Sequence, residues 1–200
     1  MSENQKVKVM VSLDGANFFY AQQKMDWWID PKRFLAWIEE QYGQIVDAYY
    51  YLGVPRQNKD KHQRYVKALQ RMGFRVRTKP IKIYDKGDPE KHKAKANLDT
   101  SIVLDIMNGI DNFDLLVLIS GDGDFEELLK TVETRGKRFV VISTHSFVAQ
   151  EILLLAGQHY VDFNTIREEI EKDQSMRTRS VESEIEPEQE EELAATPQED

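Results

Sequence analysis

The sequence predicts an α/β fold, a three-layer αβα sandwich around a central, mainly parallel sheet. Three observations carry that expectation. Residues 7 to 13 (VKVMVSL) and 114 to 120 (DLLVLIS) are short, almost unbroken apolar runs, the pattern of strands buried on both faces. Strand-like runs alternate with segments of helical period along the chain, which implies parallel pairing with helices on both faces. Both apolar runs end in acidic and glycine residues, Asp14-Gly15 and Gly121-Asp122-Gly123-Asp124.

The elements follow in order. After the first strand a helix is expected from Ala16 to about Lys24. Asp30-Pro31 reads as an N-cap followed by proline at the first helical position. The helix it opens runs to about Tyr42, with Phe34, Leu35, Ile38 and Tyr42 on one face and Gly43 as its stop. Ile45 to Leu52 is a second strand and Gly53 to Asn58 its loop. Lys59 to Met72 has helical period and stops at Gly73, and Phe74 to Thr78 is a third strand. A short extended piece and turn are expected over Pro80 to Pro89, then a helix over Lys91 to Met107. The strand ending at Ser120 leads through Gly121 to Asp124 into a helix over Phe125 to Thr134, with Asp124 and Glu127 spaced as a capping box. Arg138 to Ser143 is a further strand, Phe147 to Leu155 an apolar helix, and Tyr160-Val161 a last edge strand.

Composition narrows the chemistry. The 200 residues include no cysteine, which removes disulfides, thiolate metal sites and cysteine nucleophiles. No long apolar stretch follows the N-terminal charges, and no run approaches the ~20 residues of a membrane span. A cytoplasmic protein without a membrane partner is expected. The net charge of −8 is unevenly spread. Residues 171–200 hold eleven acids against three bases, so residues 1–170 are neutral. The division expected is a domain over 1–170 and a disordered acidic tail over 171–200, too poor in apolar residues to order itself. Between Arg56 and Lys95, fourteen Lys or Arg stand against four acids, a local excess of +10 that suits a polyanion.

In an open parallel sheet, ligands bind beyond the C-terminal ends of the strands. Asp14, Asp122 and Asp124 all lie at such ends. Carboxylates gathered there repel one another unless a cation shares them, and hard oxygen ligands suit Mg²⁺ or Mn²⁺. A single strand-final aspartate is more often a helix cap, but two such strand ends in one sheet favour a site. In KANLDTSIVLDIM, Asp99 and Asp105 are six residues apart, about 120° around a helix of roughly 3.6 residues per turn, so both cannot face one site. Asp99, nearer the helix start, is the candidate ligand, and Asp105 is expected behind it or facing solvent.

The segments VSLDGANFFYA, ANLDTSIVLDIM and LLVLISGDGDFEELLKTVETRGKRFVVIS resemble the NYN domain, and within it the LabA-like group, over roughly residues 7 to 165. NYN domains resemble PIN-like nucleases. The resemblance implies a PIN-like fold and a metal-dependent ribonuclease with catalytic and metal-binding acids at Asp14 in LDGANF, Asp99 in NLD, and Asp122 and Asp124 in SGDGDF. It implies a supporting role for Asn17. The approach to Asp99 reads Lys95-Ala96-Asn97-Leu98, departing from the family's frequent Lys-Gly-Val. A haloacid-dehalogenase-like phosphatase needs Asp-x-Asp after the first strand, where Ala16 stands two beyond Asp14. A Toprim-like enzyme shares Asp122-x-Asp124 but expects glutamate where Asp14 lies.

The expected reaction is hydrolysis of an RNA phosphodiester with Mg²⁺ or Mn²⁺ as cofactor, with Ser120 placed either to touch a phosphate or to satisfy local backbone groups. Ser143 is expected to satisfy local backbone groups. His62, His92, His145 and His159 share no ligand spacing. Arg56, Lys59, Lys61, Arg64, Arg75, Arg77, Lys79, Lys82, Lys93 and Lys95 are the candidate contacts to a nucleic-acid backbone, which position without reading sequence. RNA is the expected partner. DNA and a second copy of the chain stay open, and so does the rival reading of a non-catalytic RNA-binding or protein-interaction regulator. Among the aromatics, Tyr20 and Trp27 are the candidates for stacking on bases.

Overall fold

The computed structural model describes residues 6–54, 59–84, 93–95 and 98–173. Its strands are β1 (Lys8–Asp14), β2 (Gln44–Val54), β3 (Arg75–Pro80), β4 (Lys82–Tyr84), β5 (Lys93–Lys95), β6 (Leu115–Ile119), β7 (Arg138–Ser143) and β8 (Tyr160–Asp162). Its helices are α1 (Gly15–Met25), α2 (Pro31–Tyr42), α3 (Lys59–Arg71), α4 (Asp99–Asn108), α5 (Glu126–Thr134), α6 (Gln150–Ala156) and α7 (Arg167–Ile170). Six strands form one sheet in the order β3-β2-β1-β6-β7-β8, and every pairing in it is parallel.

Alternation along each strand builds the two outer layers. Val9, Val11 and Leu13 of β1, with Leu115, Val117 and Ile119 of β6, pack with Phe18 of α1, Phe34 and Ile38 of α2, Leu69 of α3 and Ile170 of α7. Met10, Leu116, Leu118 and Val141 face the other way, against Ile102 and Ile106 of α4, Leu129 and Val132 of α5 and Ile152 of α6. β6 is buried along its whole length, LLVLI, because it lies at the centre of the sheet and is covered on both sides. Deleting methyl groups there leaves a cavity that the surrounding side chains fill only in part.

Caps set several helix starts. Asp30 accepts from the N–H groups of Lys32 (2.8 Å) and Arg33 (3.1 Å), with Pro31 next to it, as its residue types require. Gly43, at φ 132°, ends that helix and bonds back to the Glu39 carbonyl. At the start of α1 a side chain on Gly15 would collide with the Tyr51 carbonyl oxygen, so only glycine lets the helix leave β1 this close to β2.

Four expectations are corrected. The helix read over Lys91 to Met107 begins at Asp99, and Lys93–Lys95 instead pairs antiparallel with β4. Lysine and alanine favour helix locally, and a cross-strand partner outweighs that preference. The cap near SGDGDF is Asp122, which accepts from the Asp124 N–H at 3.0 Å, and no side chain caps α5 itself. The apolar helix read from Phe147 begins at Gln150, after a turn in which the Phe147 N–H bonds to the Thr144 carbonyl. Trp27 is core and no base-stacking surface: it is 1 % exposed, and its indole N–H donates to Asn164 at 3.0 Å. The chain stays anchored past Ile170, with Glu171 bridging Ile29 and the Lys172 N–H bonded to the Trp28 carbonyl. The proposed tail beyond Asp173 and Arg56 lie outside the described residues, as do the side chains of Lys59, Lys82, Lys93 and Lys95.

Candidate functional site

The chain lays down β1, β2 and β3 outward to one side, then crosses over to continue with β6, β7 and β8 on the other. The reversal falls between β1 and β6, and in such sheets the helices that follow diverge there and leave a crevice at the C-terminal strand ends. Asp14 closes β1, and Ser120 directly follows β6. Continuing the alternation of Met10 and of Leu118, both fall on the layer of α4, the helix opened by Asp99.

Asp14 performs two jobs. Its Oδ1 caps α1, accepting from the N–H groups of Ala16 (3.1 Å) and Asn17 (3.2 Å). Its Oδ2 accepts a longer bond from the Ser120 hydroxyl, 3.3 Å. Burial pushes the carboxyl up to about 6. The two backbone N–H groups and Ser120 oppose that rise, and the neighbouring Asp99 charge adds to it. Capping and site formation are therefore combined in one residue: one oxygen holds the helix, and the group as a whole is coupled to a second acid.

Polar links fasten the SGDGDF loop to this acid. Asn17 Oδ1 accepts from the Gly121 N–H at 2.8 Å, and Ser120 Oγ accepts from the Asp122 N–H at 3.2 Å. The Gly121 carbonyl accepts from the Ala149 N–H at 2.8 Å. A side chain on Gly121 would meet the Phe147 carbonyl at 2.6 Å and Ser143 Oγ at 2.8 Å, so the turn after β7 rests directly on this loop. Ser143 Oγ is buried and finds no partner among the described residues, contrary to the expectation that it bonds local backbone.

The predicted acids are brought to one rim but not into one tight cluster. Asp14 and Asp99 interact electrostatically, Asp122 is half-buried with its Oδ1 turned to the Asp124 N–H, and Asp124 is exposed. Among the described residues, no group of three or more His, Asp or Glu is arranged to hold a metal ion. The donor set nevertheless fits Mg²⁺ or Mn²⁺. Mg²⁺ commonly takes one or two carboxylates and completes its shell with water and phosphate oxygens, and a cation here would relieve the repulsion between Asp14 and Asp99. Sequence reasoning missed a further acid: Glu151, in the first turn of α6, lies with Oε1 against Gly123, where any larger residue would displace it. Nothing local signals that contact, which joins residues nearly thirty apart.

Asp105 is neither idle nor solvent-facing. Arg77 of β3 grips it with two bonds, Nε to Oδ2 at 2.9 Å and Nη2 to Oδ1 at 3.1 Å, and the Tyr51 hydroxyl donates to Oδ2 at 3.2 Å. Burial, and then the Asp105 charge, push the Tyr51 phenol far above its ordinary range. This triad pins α4, and with it Asp99, to the β2–β3 side of the sheet. The predicted cations do not form one face. Val76 packs toward the α1–α3 layer, which turns Arg75 and Arg77 to the opposite side, while Lys61 and Arg64 ride on α3. Arg75 is paired with Asp47 at 2.6 Å and lies over the Tyr49 ring.

The chain matches the NYN domain over residues 8–164. It belongs to the NYN domain family. It is 36 % identical over 167 residues to the low amplitude and bright protein LabA of Synechococcus elongatus, a match covering 82 % of this chain and 88 % of that protein. A crystal structure of a protein of unknown function from Vibrio parahaemolyticus superposes with a TM-score of 0.68 at 25 % identity, covering 81 % of this chain and 96 % of that one. NYN domains are allied to the PIN-like nucleases, a group that generally works with divalent metals. Family and fold therefore agree with the resemblance of these segments to the NYN domain and with the αβα sandwich expected from it.

Proposed function

We propose that this NYN domain is a Mg²⁺- or Mn²⁺-dependent ribonuclease that hydrolyses RNA phosphodiester bonds. The observation that carries the reading is the buried Asp14 carboxyl, coupled to Asp99 at the point where the sheet reverses its strand order. Asp14 and Asp99 would hold the cation, with Asp122 and Asp124 on the adjoining loop. Bound there, the metal would polarise the phosphate and lower the pKa of a water. The remaining work falls to the chain. Ser120 fixes the orientation of Asp14, and Asn17 clamps the SGDGDF loop against α1. The basic residues from Arg56 to Lys95 supply backbone affinity, with Arg75 and Arg77 serving largely to order β3 and α4. No helix among the described residues is long and apolar enough to cross a membrane, and we place the protein in the cytoplasm.

The second reading is a non-catalytic RNA-binding or protein-interaction regulator on the same fold. It is favoured by the lack of a three-acid group among the described residues. Incubating labelled single-stranded RNA and DNA with the protein in Mg²⁺, Mn²⁺ or chelator, beside Asp14→Asn and Asp122→Asn, separates the two. RNA cut only with metal, and by neither folded variant, supports the nuclease. RNA bound but never cut, with either metal, supports the regulator.

A further inference from the structure

Four aromatic side chains lie ring against ring on the surface beside the acid crevice. Phe19 and Tyr20 of α1 meet edge to face, with centroids 5.4 Å apart. Phe19 also meets Trp28 at 5.9 Å, and Tyr20 meets Phe147, in the turn after β7, at 6.4 Å. Tyr20 is 39 % exposed and Phe147 37 %, with Phe19 and Trp28 partly covered between helix and loop. Core packing does not account for rings left this open. The other large exposed apolar side chains among the described residues, Leu104 and Leu154, sit on α4 and α6 in the opposite layer. Those two leucines aside, Tyr20 and Phe147 are the large apolar side chains left exposed among the described residues.

Its position ties it to the acids. The Phe147 carbonyl lies against Gly121 of the SGDGDF loop, and the Gly121 N–H bonds to Asn17. Along α1, Asn17, Tyr20 and Lys24 are spaced i, i+3 and i+7 and share one stripe. At about 1.5 Å per residue that stripe runs roughly 10 Å away from the crevice. It begins at a residue holding the acid loop, passes an open ring and ends at the exposed cation of Lys24.

We infer that this strip is a stacking platform for single-stranded RNA, with bases lying on Tyr20 and Phe147 and the backbone running past Lys24. The inference deepens the nuclease reading by naming the substrate class, and rests on it for the placement of the strand. Unpaired bases offer open π-faces, and aromatic platforms take them without regard to sequence. A duplex keeps its bases stacked internally and gains nothing from the rings. The Lys24 charge gives the phosphates a counterpart at the far end of the stripe, which an aliphatic protein partner would not require.

Binding of the full chain to fluorescein-labelled oligouridine RNA, measured by anisotropy in chelator, tests the platform separately from cleavage. Tyr20→Ala and Phe147→Ala should each weaken binding by on the order of tenfold, while Tyr20→Phe and Phe147→Tyr keep near wild-type affinity. A duplex of the same length should bind more weakly than the single strand and respond little to either alanine. Unchanged affinity in both alanine variants, or no binding by the wild type, overturns the platform. A change in oligomeric state on sedimentation, with RNA affinity unaltered, overturns it in favour of an interface between copies. If the rings govern binding but no metal supports cleavage, the platform stands and the nuclease reading fails. Cleavage with binding and KM indifferent to the rings gives the reverse.

Discussion

Replacing Asp14 by Asn removes a charge at the most strategic point of the sheet and keeps the shape of the side chain. Burial, reinforced by Asp99, raises the Asp14 carboxyl from its ordinary 3.8 to about 6. At about 1.4 kcal/mol for each tenfold change, ionising this group in the folded chain costs about 3 kcal/mol, to order of magnitude. The sign follows from the raised value. Below pH 3.8 Asp14 is protonated whether the chain is folded or not, and nothing is lost. As pH rises toward about 6, the unfolded chain releases the proton more readily and the wild type loses stability. Above about 6 the full cost is present. Asparagine carries no such cost, and it caps a helix nearly as well. Urea denaturation followed by tryptophan fluorescence in chelator, from pH 4 to pH 8, should show Asp14→Asn gaining on the wild type by about 2–3 kcal/mol, most of it between pH 4 and 6.5. Adding Mg²⁺ at pH 7.5 should then stabilise the wild type alone, through binding to the folded state. A difference between the two proteins that stays constant across pH would refute the reasoning, because it would mean that Asp14 titrates alike in the folded and unfolded chains.

Other perturbations address the framework. Gly121→Ala places a methyl against the Phe147 carbonyl and Ser143 Oγ. It should cost about 1–3 kcal/mol by overpacking, read by denaturation, and reduce metal-dependent cleavage further than the stability loss accounts for. Asp105→Ala leaves the Tyr51 hydroxyl without its acceptor and frees the half-exposed Arg77. A loss of about 1–3 kcal/mol is expected, together with weaker Mn²⁺ affinity as α4 loosens, whereas Asp105→Asn should recover most of the stability. Removing residues 174–200 deletes nine acids against two bases. If the tail competes for the basic surface, RNA affinity at low salt rises on truncation and the gain disappears in high salt; unchanged affinity at low salt marks it as a solubilising extension. The cut belongs after Asp173, because Glu171 and Lys172 still bond to Ile29 and Trp28.

What could be read in the residues was whatever is written locally and repeated. LLVLI is apolar on both parities because β6 is covered on both faces, VKVMVSL is interrupted only by Lys8 and Ser12, and that pattern sufficed for a parallel sheet. Asp30-Pro31 and Asp14-Gly15 mark helix starts because capping is decided within four residues. Contacts between distant segments left no such trace. Arg77 finds Asp105 twenty-eight residues away, so the sequence left open whether this acid lay behind the site or faced solvent. Glu151 reaches Gly123 through the packing of α6 on the SGDGDF loop. Trp27 and Trp28 are adjacent in sequence, yet one is sealed under Arg167 and bonded to Asn164 while the other joins the surface strip. Residue type alone could not tell which of the two was open to a base. Lys93–Lys95 reads as helix until β4 supplies its partner.

The most direct test of the metal centre is Mn²⁺ binding by the intact chain, followed by electron paramagnetic resonance at pH 7.5 in the wild type, Asp14→Asn and Asp99→Asn. A saturable site in the wild type that is abolished or weakened at least tenfold in both folded variants is the predicted result. Mn²⁺ bound equally by all three, or by none, would contradict a cation held between Asp14 and Asp99.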